Sequence, residues 1–191
     1  MQNNCHTSRI DNSISSNREV DLKDIVMGLH WHPQEPGASV GREPANLDAM
    51  CVLFDEEGRT LEVVHPGHPS NANGSVLHTG DSPTGSSEWD DERIFVFLEA
   101  LPDSVSALSF VVASANGHVF SDVPGASCHV SDRITEREWI RLDLTAIGKH
   151  REHRVATLRR SAAGWEISPD AQGVRGPHHN PYRKETHHGD L

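Results

Sequence analysis

The chain has 191 residues, with 17 basic and 28 acidic side chains and a formal net charge of −11 at neutral pH. This length fits one domain with tails, and the acidic balance argues against nucleic-acid binding, which needs clustered Lys and Arg. Because the chain has neither an apolar run near the roughly 18 residues of a membrane span nor the apolar segment of a signal peptide, we expect a cytoplasmic protein without an integral membrane segment.

The N-terminal segment, residues 1–22, is rich in Asn, Ser and charged residues, which predicts a disordered arm. After it, short apolar runs alternate with turn-forming residues, a pattern typical of strands in an all-β protein. Many short strands with closely spaced turns favour a sandwich or a barrel. The predicted strands cover residues 25–31, 49–54, 60–64, 93–98, 107–114, 126–131, 139–144, 154–159 and 165–168.

Turn signals separate several of these strands. Residues 55–58 (DEEG) lie between two predicted strands and indicate a hairpin in which Gly58 adopts a positive φ. Asn116 and Gly117 predict a second turn, and residues 162–164 (AAG) predict a third that closes another hairpin. We expect a helical turn only at residues 99–103.

The C-terminal segment is dominated by Gly, Pro, His and charged residues, which predicts a polar tail over residues 175–191 and a folded domain over residues 23–174. The tail contains the pairs His178-His179 and His187-His188. Such pairs either belong to an ordinary polar tail or bind Zn²⁺, Ni²⁺ or Cu²⁺ weakly.

Five carboxylates crowd into the twelve residues from Asp81 to Glu92 (DSPTGSSEWDDE), with no Lys or Arg among them. Carboxylates held together in an irregular loop repel one another unless a cation neutralises them, and Ca²⁺ prefers oxygen ligands of this kind. The spacing is not that of an EF-hand, and a solvated acidic turn is the alternative interpretation. Trp89 lies among the acids and is either a lid over the site or exposed for a partner.

Four blocks of the sequence resemble the TerD family of bacterial tellurium-resistance and general stress proteins. Residues 46–58 (NLDAMCVLFDEEG) are similar to the family's opening block, and residues 74–85 (GSVLHTGDSPTG) with 90–92 (DDE) are similar to its acidic signature. Residues 139–144 (WIRLDL) and 153–167 (HRVATLRRSAAGWEI) resemble its two later blocks. The four blocks occur in the family's order and cover about residues 24–174.

The resemblance implies an antiparallel β-sandwich that binds Ca²⁺ through the acidic loop and has no catalytic activity. It also implies a role in tellurium resistance or stress response through contacts with other stress-response proteins. One or two Ca²⁺ ions would be held mainly by Asp carboxylates, with a main-chain carbonyl from Gly85. The expected ligands are Asp48, Asp81, Ser82, Gly85, Asp90, Asp91 and Glu92.

The chain departs from the family pattern at several ligand-type positions. His32 replaces an acid, Asn46 replaces the first Asp of the opening block, and Ser82 replaces an Asn. Each change removes charge or a ligand oxygen from the site. We therefore expect weaker calcium binding, or fewer bound ions, than in a close match to the family.

A histidine-based site is the alternative from a different functional class. His30, His32 and Glu35 resemble the first metal motif of cupins, and His68 resembles part of the second, although the spacing is shorter in both. A cupin-like metal-dependent enzyme would use these four residues. Imidazole ligation favours Zn, Fe, Cu or Ni, whereas oxygen ligation favours Ca²⁺, so metal preference separates the two hypotheses.

The three cysteines, Cys5, Cys51 and Cys128, form no C-x-x-C pair. Cys51 and Cys128 lie within apolar alternations, which predicts buried free thiols rather than a disulfide or a metal site.

Overall fold

A computed structural model of the protein describes residues 22–33 and 43–170. This part of the chain forms ten strands. They are β1 (Asp24–His30), β2 (Leu47–Phe54), β3 (Thr60–Val64), β4 (Val76–His78), β5 (Glu92–Phe97), β6 (Ala107–Ser114), β7 (Ser127–Asp132), β8 (Glu138–Asp143), β9 (Glu152–Ser161) and β10 (Gly164–Pro169).

The strands pair into two antiparallel sheets of five strands each, and these pack together as a β-sandwich. One sheet has the order β4-β5-β1-β7-β8, and the other has the order β10-β9-β6-β2-β3. The predicted fold class is therefore confirmed. The predicted arm (residues 1–22, apart from the buried Leu22) and tail (175–191, with its histidine pairs) lie outside the described residues, as does Cys5.

All nine predicted strands are present, and their ends differ from the prediction by no more than two residues. The strand that the prediction missed is β4, which has three residues and gives too short an apolar run to be recognised. The predicted helical turn at residues 99–103 is a 3₁₀ turn at Leu98–Ala100, and two further 3₁₀ turns occupy Phe120–Asp122 and Thr145–Ile147. None of the helices in the described segments is long and apolar enough to cross a membrane.

The core lies between the two sheets, where the inward side chains of alternate residues meet. In β5, for example, Glu92, Ile94 and Val96 are buried while their neighbours are half-buried on the outer face. Cys51 and Cys128 are buried and free, as predicted. Burial raises the pKa of the Cys128 thiol to about 12 and raises the pKa of Cys51 as well.

The hairpins form where the sequence predicted them. Gly58 has a φ of 77° in the turn between β2 and β3, and Gly164 has a φ of 122° at the start of β10. Both conformations are accessible to Gly at little steric cost.

The beginning of β2 is the feature of the fold that positions the candidate site. β2 pairs with β6 along its whole length, but it pairs with β3 only from Cys51 to Phe54. The first residues of β2 therefore have no strand on one side, and groups from β5 and the acidic loop occupy that position.

Candidate metal centre

Three carboxylates converge at this end of the sandwich. Asp48 comes from β2, Asp81 from the loop after β4, and Glu92 from the first position of β5, and their ligand atoms all lie within 4.8 Å of one another. Asp48 and Glu92 are buried, whereas Asp81 is exposed. The cluster thus joins both sheets and the acidic loop, and its charges repel unless a cation or a proton neutralises them.

Glu92 takes the place of a strand partner for β2. One carboxylate oxygen accepts a hydrogen bond of 2.8 Å from the backbone amide of Ala49, on the side of β2 that β3 does not reach. The other oxygen accepts a hydrogen bond of 3.2 Å from the backbone amide of Ser82 in the loop. Glu92 is fully buried, so these bonds satisfy backbone donors that water would not reach easily.

His78 on β4 lies beside the same carboxylate. Its Nδ1 accepts a hydrogen bond of 2.9 Å from the backbone amide of Gly80, so in the neutral ring the proton is on Nε2. Nε2 lies 3.3 Å from Glu92 Oε2, and both side chains are fully buried. The sequence analysis did not single out His78 as a site residue. His78 and Val76 are buried and Leu77 between them is exposed. This alternation could be recognised only if residues 76–78 were known to form a strand.

Asn46 lies two positions before Asp48 in the chain. Its side-chain Oδ1 is buried and has no hydrogen-bond partner among the residues that the structure describes. A buried acceptor without a donor is costly, and a cation removes that cost. The Asp-to-Asn departure at this position therefore removes a charge but keeps an oxygen that can bind metal.

Asp91 holds the loop rather than joining the cluster. One of its oxygens accepts a hydrogen bond of 3.0 Å from the backbone amide of Trp31 and lies 3.0 Å from His30 Nδ1. The other accepts a hydrogen bond of 2.9 Å from the backbone amide of Ser87. Three groups from two segments thus surround one buried carboxylate.

Asp90 points to the outer face of the sheet that contains β1 and β5. Its carboxylate accepts a hydrogen bond of 2.8 Å from Arg93 Nε and lies 3.2 Å from His129 Nε2. Burial alone would raise the pKa of Asp90, but the hydrogen bonds and charges of His129 and Arg93 outweigh burial and lower it below its usual value. A Cβ on Gly28, which lies beneath, would be 2.6 Å from Asp90 Cγ, so only Gly leaves room.

Ser82 and Gly85 have backbone roles in the described arrangement. Ser82 donates its amide to Glu92, as noted above. Gly85 has a φ of 62°, and a Cβ there would lie 2.2 Å from Nε1 of the buried Trp31. Trp31 Nε1 in turn donates a hydrogen bond of 3.2 Å to the carbonyl of Ala45. Of the seven predicted ligands, the structure therefore brings together Asp48, Asp81 and Glu92 and places the other four around them or away from them.

The histidines of the cupin-like alternative do not form a cluster of this kind. The rings of His30 and His32 lie 5.3 Å apart, but His68 Nε2 contacts Glu62 of β3 at 2.8 Å. Glu35 lies outside the described residues. Across residues 22–33 and 43–170, the group of acids on β2, β5 and the loop is the one set of three His, Cys, Asp or Glu residues that could hold a metal.

The donors of this cluster favour a hard cation. Carboxylate oxygens suit Ca²⁺ or Mg²⁺, whereas Zn²⁺ and Cu²⁺ prefer imidazole or thiolate. Three carboxylates supply only part of the roughly 6–8 oxygens that Ca²⁺ takes, so carbonyls or water would supply the rest.

Comparison with known proteins gives a consistent result. The sequence model of a family described as the TerD domain matches residues 11–178. The chain is 36% identical to the tellurium resistance protein TerZ of Serratia marcescens over 81% of this chain and 82% of that protein. It is 29% identical to general stress protein 16U of Bacillus subtilis (strain 168) over 86% of this chain and 91% of that protein.

The fold is similar to that of solved structures. A crystal structure of a homologue of the telluride resistance protein TerD from Streptomyces coelicolor A3(2) superposes with a TM-score of 0.70. It shares 23% sequence identity and covers 81% of this chain and 92% of its own.

Proposed function

The chain belongs to the TerD domain family, and we propose that it is a calcium-binding module that acts in tellurite or general stress resistance by binding other proteins, without catalysis. Its similarity to a tellurium resistance protein and to a general stress protein supports the cellular role. The ligand cluster supports the choice of cation.

The observation that carries the proposal is the convergence of Asp48, Asp81 and Glu92 from both sheets and the loop. Two buried carboxylates within reach of a third would repel strongly without a positive charge between them. The buried oxygen of Asn46 without a hydrogen-bond partner among the described residues fits the same cation. Calcium would supply the positive charge at this position.

Calcium bound by these residues would connect β2, β5 and the acidic loop. Glu92 already joins β2 and the loop through its hydrogen bonds to Ala49 and Ser82. A cation held also by the exposed Asp81 would restrict the loop, which is otherwise self-repelling, and would stabilise the folded state by mass action. Asp91, through its bonds to Trp31 and Ser87, would transmit that order to the rest of the loop.

Direct binding of tellurite at this site is electrostatically unfavourable, because the cluster and the chain as a whole are acidic. Cys51 and Cys128 are buried with raised pKa values, so neither is a reactive thiolate that would reduce tellurite. The resistance would therefore be indirect, through partners that the calcium-loaded protein binds.

A complementation experiment tests this function. A bacterial strain that lacks the protein should become more sensitive to tellurite, and the wild-type chain should restore survival. We expect Asp81→Asn to fail, while Glu56→Gln, which changes an exposed acid in the β2–β3 turn, should restore survival fully. Full rescue by Asp81→Asn at equal protein level would contradict the proposal.

A further inference from the structure

A cleft of about 520 Å³ crosses the outer face of the sheet that contains β1, β5, β7 and β8. It lies on the side of that sheet to which Asp90 points, away from Glu92, which faces the core. Its floor includes Val26 of β1 and Phe95 of β5, which are paired in the sheet register. The cleft is therefore a second concave surface, separate from the metal cluster.

Of the two most exposed large apolar side chains of the described chain, Trp89 lines this cleft and Ile134 belongs to the turn whose Arg133 and Glu136 line it. Trp89, which lines it, is 76% exposed, and Ile134, between the lining residues Arg133 and Glu136, is 67% exposed. An exposed Trp beside a concave surface is characteristic of the residues that dominate protein–protein binding energies. This surface has the composition of a docking site, with apolar residues at its floor and rim.

The cationic groups of the cleft are already neutralised within the protein. Arg93 bonds to Asp90, Arg133 bonds to Asp24, and Arg141 forms a two-bond pair with Glu138. These pairs leave no arginine in the cleft without an acidic partner. An anionic ligand would have to displace one of these carboxylates.

Two acidic residues of the cleft have no hydrogen-bond or ion-pair partner for their carboxylates among the described residues. The carboxylates of Glu88 and Glu136 line the cleft and make no hydrogen bond or ion pair with any residue in the described segments. Glu136 has a φ of 58°, the one positive value at a described residue other than Gly, so the chain tolerates backbone strain at this position. The charge that remains available to a ligand is therefore negative.

We propose that this cleft binds a basic segment of a partner protein, with Lys or Arg side chains that contact Glu88 and Glu136 and stack on Trp89. An aromatic face beside carboxylates is the chemistry that recognises a guanidinium or ammonium group. The proposal rests on the binding role proposed above and names its surface and partner chemistry. None of the three cluster carboxylates lines the cleft, so the contacts of the cleft can be tested without calcium.

Calorimetry tests this proposal by measuring the binding of acetylated octa-arginine to the metal-stripped full chain in calcium-free buffer. The buffer contains about 0.15 M salt, because salt screens weak non-specific attraction. We expect the double variant Glu88→Gln/Glu136→Gln and the single variant Trp89→Ala each to weaken binding about 10-fold or more. The matched controls are Glu56→Gln/Glu166→Gln, which change an exposed acid in the β2–β3 turn and one in β10, and Leu61→Ala, an exposed apolar residue of β3. Each control should change the affinity by less than about 2-fold.

Equal losses in the cleft variants and their controls would overturn the proposal, because binding would then reflect net charge alone. Tighter binding of octa-glutamate than of octa-arginine would also overturn it, since the cleft would then be an anion site. Sedimentation provides a further check. If the cleft mediates self-association that octa-arginine does not disrupt, its occupant is a second copy of the chain and the proposal is wrong. Because no calcium is present, these outcomes are independent of the metal site.

Discussion

The carboxylate of Glu92 on β5 accepts a 2.8 Å hydrogen bond from the backbone amide of Ala49 on β2, and so connects the two sheets of the sandwich. The same carboxylate belongs to the cluster that we propose binds calcium. One side chain therefore has a structural role without metal and a ligand role with it, and these roles can be separated by substitution.

Replacement of Glu92 should destabilise the metal-free protein. Glu92→Ala leaves the amides of Ala49 and Ser82 without their acceptor, which costs about 2 kcal/mol in the free energy of unfolding. This loss exceeds the roughly 0.5–1 kcal/mol that removing one charge of the cluster relieves. Glu92→Gln keeps one oxygen as an acceptor for Ala49 and should lose about half as much. Urea unfolding of the stripped variants measures both, and equal stability of Glu92→Ala and wild type would contradict the structural role.

Asp81→Asn should have the opposite effect and raise the free energy of unfolding of the metal-free protein. Asp81 is exposed and adds negative charge to two buried carboxylates, so its neutralisation should stabilise the stripped protein by about 0.5–1 kcal/mol. With saturating calcium the same variant should be less stable than wild type, because a ligand is missing. Asp103→Asn, at a fully exposed position, is the control and should be neutral in both conditions. A destabilising effect of Asp81→Asn without metal would contradict the repulsion argument.

Asp132, at the turn between β7 and β8, should make the free energy of unfolding depend on pH in the acid range. The Asp132 carboxylate accepts hydrogen bonds from the backbone amides of Thr135 and Ile134 and from the Thr135 hydroxyl, and these lower its pKa. A lowered folded-state pKa gives stability that is present above the unfolded value of about 3.9 and is lost as pH falls through the folded value.

Asp132→Asn should accordingly be less stable than wild type near pH 7, and the difference should shrink as the pH falls below about 4. Urea unfolding at several pH values measures the difference. A gap between the two proteins that is constant from pH 7 to pH 3 would show that the charge of Asp132 makes no contribution.

The two buried thiols should be unreactive in the native protein. Cys51 and Cys128 are buried with raised pKa values, so a thiol reagent should modify them only after unfolding. A Cys5→Ser variant isolates these two positions. Calcium should slow the modification further if it stabilises the fold, whereas fast reaction in native buffer would contradict the described burial.

The strands could be predicted because the alternation of apolar and polar residues along each one indicates which side chains are buried. Arg93, Phe95 and Phe97 alternate with buried residues, and the DEEG turn marks the end of β2 without any tertiary information. β4 was not predictable in this way, because three residues show no period and its pairing with β5 involves residues 16 or more positions away.

For the candidate site, the sequence predicted that acidic residues take part but not which of them come together. The sequence grouped Asp90, Asp91 and Glu92 as ligands, but only Glu92 belongs to β5. Asp90 and Asp91 lie in the irregular loop before the strand, where no regular alternation sets the direction of a side chain, and Asp90 faces the outer cleft while Glu92 faces the core. Asp48 is 33 positions from Asp81 in the chain, and the resemblance to the TerD family, rather than any local signal, placed it in the site. The role of His78 required the register of β4.

Calcium titration into the stripped protein, followed by calorimetry, tests the central claim most directly. We predict one binding event in wild type, its loss in Asp81→Asn, and its retention in Asp90→Asn, whose carboxylate is held by Arg93 and His129. At a free calcium concentration of 100 times Kd, wild type should gain roughly 2.7 kcal/mol of stability. Absence of calcium heat in wild type, or unchanged binding in Asp81→Asn, would contradict the account.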